Sequence, residues 1–219
     1  LSNELDAKHQ ELLESQKLLR VRAAILEKVV NTEPLSFVLD DIVAAVEREY
    51  QNQMCSILLL DGTQLRLGAA PSLPSFYNDL IDGVEIGLGQ GACGTAAFLN
   101  ERVITDDLTT HSYWASWRDA AKQANLGACW SQPICGADGK VLGTFAIYHK
   151  EAGVPANEDI TRIEYFAHVA SIAIERDRAD EIIWRQANYD SLTGLPNRHL
   201  MEDNLSHASR LSCGKVAHQ

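Results

Sequence analysis

The sequence predicts an α+β fold: a central antiparallel sheet with helices on one or both faces, and a long helix at each end. Three observations carry this. Of 14 Gly and 6 Pro, 12 and 5 fall within residues 34–155, while residues 1–33 and 156–193 contain neither. Helix interiors exclude both residues and turns need them, so a loop-rich middle separates two helical arms. Within the middle, two stretches read as β-hairpins. The helical stripes around them follow no βαβ rhythm, which leaves antiparallel strands mixed with helices.

In the first arm, Leu5, Leu12, Leu19 and Leu26 recur every seven residues, with His9, Gln16, Ala23 and Val30 on the partner seam. One apolar seam and one mixed seam fit a weak coiled coil or a surface helix packed on its own domain. After Asn31 and Thr32, both able to cap, Pro34 opens a helix whose apolar face is Leu35, Val38, Leu39, Ile42 and Val46. Strands over 54–60 and 64–69 follow, turned by Asp61-Gly62. A short helix is expected from Thr95 to about Leu99. A second hairpin pairs about 127–135 with 140–149 across Ala137-Asp138-Gly139. The second arm, 156–188, carries a core-facing stripe of Ile160, Ile163, Ala167, Ala170 and Ile174. Beyond it Asp177 and Glu181 are polar, and Ile182, Ile183 and Trp184 restore an apolar patch. Such a break fits alternative helix registers or an ordinary polar surface.

Composition narrows the function classes. The chain has 219 residues, 46% hydrophobic and 22% charged, with a net charge of -11. It has no block of Lys or Arg of the kind phosphate binding requires, which argues against a nucleic-acid partner. The longest aliphatic run, Ile57 to Leu60, is too short to span a bilayer. Five cysteines, an odd number without a C-x-x-C pair, point to a reducing compartment, so a cytoplasmic location is expected. The start at Leu1 and the end at Gln219 suggest a fragment.

Gly89-Gln90-Gly91-Ala92-Cys93-Gly94 matches G-x-G-x-x-G, but polar, turn-rich residues precede it where a dinucleotide site needs a buried strand. What remains is a glycine-rich backbone meeting a helix N-terminus near Gly94-Thr95, either a small anion or carbonyl cradle or a structural turn. Tyr113, Trp114 and Trp117, with Trp130 in the next strand, form either an aromatic pocket wall or a roof on the core. Cys93 stands where a thiolate would be favoured, or is a small buried hydrophobe. No nucleophile elbow and no metal-spaced Cys/His cluster is present, so neither catalytic residues nor a metal is expected. Asp190 to Arg198 reads as a helix exit: Asp190 caps a turn, Gly194 and Pro196 break the helix, and another helix starts near Met201.

Four stretches resemble GAF domains, the small sensory modules of signalling proteins: Gly91 to Ala97, Val103 to Asp107, Ala128 to Ile134 and Gly143 to Tyr148. Asp190 to Arg198 is similar to the D-x-L-T-x-L-x-N-R opening of GGDEF domains, the diguanylate cyclase fold. The GGDEF signature itself does not occur before Gln219, so this chain is not expected to make cyclic-di-GMP. The resemblance implies a GAF-like sheet with flanking helices, divided as a helical linker (1–33), a sensor (34–178) and a connecting helix with the start of an output domain (179–219).

It also implies a small-molecule effector of unknown identity. The pocket would be formed by Cys93, Gly94, Thr95, Asp107, Trp114, Trp130 and Ser131. The Thr95 hydroxyl and the 93–95 amides would hold the ligand's polar end, and Trp114 and Trp130 its flat part. A homodimer through 1–33 and 156–188 is expected. Two alternatives stand beside this reading: a ligand-free dimerisation scaffold, and an enzyme similar to free methionine sulfoxide reductase, which shares the Cys-Gly-Thr-Ala-Ala stretch at 93–97.

Overall fold

The computed structural model describes residues 33–50, 52–190, 193–198 and 200–201, with scattered helical positions between 8 and 23. Of the heptad seam expected in 1–33, Leu5, Leu26 and Val30 lie outside the described residues, as does Cys213, while His9, Leu12, Gln16, Leu19 and Ala23 are helical positions and Leu12 and Leu19 are exposed. The chain divides into two compact units, Leu1–Glu175 and Arg176–Gln219.

In the first unit, α1 (Leu35–Glu49) starts on Pro34, whose carbonyl accepts from the amides of Phe37 and Val38. Its apolar stripe, Val38, Leu39, Ile42, Val43 and Val46, is buried. Two hairpins supply the sheet centre: β1 (Gln53–Asp61) with β2 (Gln64–Ala69), and β5 (Ala128–Cys135) with β6 (Val141–His149). Both expected hairpins thus form, within about a residue at each end, because alternating apolar residues flank turns with glycine at positive φ (Gly62 and Gly139). Two short edge strands, β3 (Val84–Glu85) and β4 (Val103–Thr105), complete an antiparallel sheet of order β3-β2-β1-β6-β5-β4.

Side-chain alternation gives the sheet two distinct faces. One face presents Cys55, Ile57, Trp130, Ile134, Phe145 and Ile147 to α1 and to the first half of α5 (Asn157–Asn188). The expected α5 stripe is present there: Ile163, Ala167, Ala170 and Ile174 are buried. Arg162 is buried beside them, over the Tyr50 ring at 3.8 Å and paired with Asp159. The opposite face presents Leu58, Cys129, Ala146 and Tyr148 to α2 (Ser75–Ile81), α3 (Gly91–Leu99), a 3-10 turn (Ser112–Trp114) and α4 (Arg118–Gln123). Layers on both faces match the expected α+β class.

In the second unit, Asp190 and the described residues 193–198 are joined by hydrogen bonds of turn type. The Asp190 carboxylate accepts from the Thr193 amide (2.9 Å) and hydroxyl (3.0 Å). The Asn197 amide side chain donates to the Ala187 carbonyl (2.6 Å), and its backbone N–H donates to the Asn188 carbonyl (2.8 Å). Asn197 therefore satisfies the orphan carbonyls that end α5, while its own side-chain oxygen accepts from the Leu200 amide (3.0 Å) to start the next turn. Ile182, Ile183 and Trp184 are exposed. Among the described residues, no helix is long and apolar enough to cross a membrane.

Candidate functional site

Helix α3 lies flat on the sheet, and all seven residues from Gly91 to Ala97 are buried. Small residues make this possible. A Cβ at Gly94 would stand 2.6 Å from Gln90 Cβ and 3.3 Å from the Glu85 carbonyl oxygen, so only glycine lets the helix approach β3 this closely. The helix begins at Gly91, a full turn before the Thr95 start expected from sequence, and ends at Asn100 in the left-handed region. The three amides at 93–95 consequently do not form one free cradle: that of Gly94 already donates to the Gln90 carbonyl at 3.2 Å. The Thr95 hydroxyl is likewise engaged, donating to the Gly91 carbonyl at 2.6 Å.

A cavity of about 20 Å³ opens between α3 and the sheet, with Tyr77, Trp114, Trp117 and Tyr148 as its aromatic wall and Cys93 in its lining. That is room for one water-sized molecule. Among the described residues that line it, none is charged. Trp114 is fixed by its indole N–H, which donates to the Thr105 hydroxyl (3.1 Å); that hydroxyl donates in turn to the Cys129 carbonyl (2.6 Å). The Tyr77 and Tyr148 rings meet edge to face at 6.1 Å. The indole N–H of Trp117 is buried without a partner among the described residues.

Around Cys93 lies a buried polar cluster. Its sulfur is 3.7 Å from the Tyr148 hydroxyl, which is 3.3 Å from that of Ser56. The Cys129 thiol and the hydroxyls of Ser131 and Thr144 also face it. Ser131 and Thr144 are fully buried, and their hydroxyls make no hydrogen bond of ordinary geometry with described atoms. Contact with the Cys129 thiol, reinforced by Ser131, Tyr148 and Thr144, outweighs burial and lowers the Cys93 pKa to about 7. Burial pushes Cys129, Tyr77 and Tyr148 well up, so Cys93 is the acid of the cluster.

This sets a pH dependence. A thiol that ionises near 7 in the folded chain and near 9.0 otherwise releases a proton on folding between those values. Its stabilisation is complete above pH 9 and is lost as pH falls through 7. The stability gap between wild type and Cys93→Ser is therefore expected to widen between pH 7 and 9, by on the order of 2 kcal/mol, in urea unfolding at stepped pH. A gap independent of pH would show that Cys93 stays protonated.

Of the residues singled out from sequence, Cys93, Gly94 and Trp114 line the cavity, and Ser131 stands behind Cys93. Trp130 does not reach it. It lies on the opposite face, its ring tilted against that of His149 at 4.2 Å and its indole N–H donating to the Gly153 carbonyl at 3.2 Å. Strand alternation forces this, since Trp130 and Ser131 are neighbours and must point apart. Asp107 is half-buried and caps its own loop, accepting from the Thr109 amide (2.8 Å) and hydroxyl (2.6 Å). Sequence reasoning missed Tyr77, Thr144 and Tyr148. The same alternation, applied along β6, would have placed Thr144 and Tyr148 beside Ser131. Among the described residues, no cluster of three or more His, Cys, Asp or Glu could hold a metal ion.

The GAF domain family matches residues 32–175, ending where the first compact unit ends. A Methanosarcina acetivorans protein named methyl sulfide methyltransferase-associated sensor is 33% identical over 177 residues; the match covers 80% of this chain and 18% of that protein. Among solved structures, the GAF domain of a Coxiella burnetii phosphoenolpyruvate-protein phosphotransferase superposes with a TM-score of 0.62 at 19% identity, covering 76% of this chain and 98% of that one. The free methionine-R-sulfoxide reductase of Neisseria meningitidis gives 0.60 at 16% identity, covering 77% and 92%. These two show the shared fold, and with the family match over most of the sequence, the chain belongs to the GAF domain family.

Proposed function

We propose that the chain is a cytoplasmic sensor module whose stimulus is a small molecule taken up in the cavity over Cys93. The observation that carries this is the lining itself: four aromatic rings, the indole N–H of Trp117 without a partner among the described residues, and no charged side chain among the described lining residues. An uncharged, flat ligand with one hydrogen-bonding edge suits that lining. A buried anion or zwitterion would find no counter-charge. A ligand larger than water enters as Gln90 and Trp117 move outward. It favours the opened packing only by its differential affinity for the two states. Helix α5 then carries the change to an output domain beginning at Asp190, whose similarity to a GGDEF opening makes control of cyclic-di-GMP the proposed output.

Thermal-shift screening tests the ligand class. Neutral purine bases are expected to stabilise the protein, by about 2.7 kcal/mol at a hundred times Kd, while nitrate, cyclic nucleotides and amino acids leave it unchanged. Stabilisation by the charged compounds alone would count against this lining as the binding site. The small cavity also favours a second reading, a scaffold whose pocket is filled by its own side chains; no shift from any compound would support it. Dimerisation through 1–33 and 156–188 belongs to both readings, and a monomer in sedimentation at micromolar concentration would remove it.

A further inference from the structure

The cluster behind the cavity suits covalent chemistry better than passive packing. It holds two thiols on facing elements, Cys93 on α3 and Cys129 on β5, the first 8% exposed and the second fully buried. The space beside Cys93, about 20 Å³ as it stands, admits a molecule little larger than water with no outward movement of Gln90 or Trp117. The fully buried hydroxyls of Ser131 and Thr144 face Cys93 and make no other contact of hydrogen-bond geometry among the described residues. The Tyr148 hydroxyl stands 3.7 Å from the same sulfur. Three hydroxyls around one thiol supply donors and acceptors for a small oxygen species at that sulfur.

We propose that Cys93 and Cys129 form a dithiol that hydroperoxides oxidise to a disulfide inside this cavity. The proposal rests on reading the cavity as the sensory site, and gives that site a chemical stimulus. In the first step the Cys93 thiolate attacks one peroxide oxygen. The S–O bond forms, the O–O bond breaks, and the leaving hydroxide or alkoxide takes a proton from water. Cys93 is oxidised to the sulfenic acid and the peroxide is reduced. In the second step the Cys129 sulfur attacks the sulfenic sulfur. The S–S bond forms, the S–O bond breaks, and the departing hydroxide leaves as water with the Cys129 proton. A cellular dithiol reverses the change by thiol–disulfide exchange. The bond would tie α3 to β5, holding the cavity's helix against the sheet.

The whole 219-residue chain, reduced and then exposed to hydrogen peroxide, tests this by peptide mapping under non-reducing conditions. The expected product is a Cys93 peptide linked to a Cys129 peptide. Cys129→Ser should stop the reaction at a Cys93 sulfenic acid, trapped by dimedone, and Cys93→Ser should slow oxidation of the remaining cavity thiol at least about tenfold. The proposal is overturned if the oxidised thiols are Cys55, Cys135 or Cys213, if Cys93 over-oxidises while Cys129 stays reduced, or if no thiol reacts. The wild-type map needs no variant to fold. It is also independent of the purine screen: a linked pair with no thermal shift keeps the dithiol and removes the reversible ligand.

Discussion

Gly143→Ala is expected to cost about 3 kcal/mol or more, enough to unfold much of the population at room temperature. Gly143 sits in the middle of β6, paired with Leu59 of β1. A Cβ there would lie 2.1 Å from the Leu58 carbonyl oxygen and 3.2 Å from Leu59 Cα. Both neighbours are backbone in a central strand, so neither can turn aside as a side chain tip could. Relief requires parting β1 from β6, the pair that carries both halves of the core. Gly153→Ala is the matched control, because a Cβ there meets nothing within 4 Å. Its stability should stay within about 0.5 kcal/mol of wild type. Urea midpoints of the two variants at unchanged m-value measure the contrast.

Trp114→Ala is expected to cost ~3–5 kcal/mol. The ring is only 2% exposed, and its hydrogen bond to Thr105 ties the 3-10 turn to β4. Trp114→Phe keeps most of the ring and loses that bond, for a smaller cost of about 1 kcal/mol. Removing the indole also enlarges a cavity that already exists. Added indole should therefore stabilise Trp114→Ala more than wild type, since an apolar cavity of ring size takes up the missing ring. If indole acted equally on both, the loss would lie in backbone rearrangement rather than in a vacated wall.

The sheet centre was legible because its signals are local. Asp61-Gly62 and Asp138-Gly139 mark the turns, alternating residues mark the strands, and the buried stripe of α5 marks the covering helix. The cavity was less legible, for two physical reasons. Helix α3 contains Gly91 and Gly94, residues that ordinarily break helices, and burial on every side overrides that propensity. Its start was therefore read a turn late, which made the engaged amide of Gly94 look free. Helix α2 carries no stripe long enough to announce itself, so Tyr77 went unseen. The misplacement of Trp130 had a different origin: aromatic character was weighed above strand parity, and parity decides which residues can share a pocket.

The residues that GAF resemblance singles out divide accordingly. Gly94 and Thr95 build the helix and Asp107 builds its loop, while Cys93, Trp114 and Ser131 surround the space where chemistry can occur. The proposed sensory role thus rests on one face of the sheet alone. The most direct measurement is the thermal shift given by a neutral purine base in wild type, Trp117→Ala and Trp130→Phe. The shift is predicted to be present in wild type, lost in Trp117→Ala and kept in Trp130→Phe. Loss in Trp130→Phe with retention in Trp117→Ala would place the ligand on the other face and contradict the account.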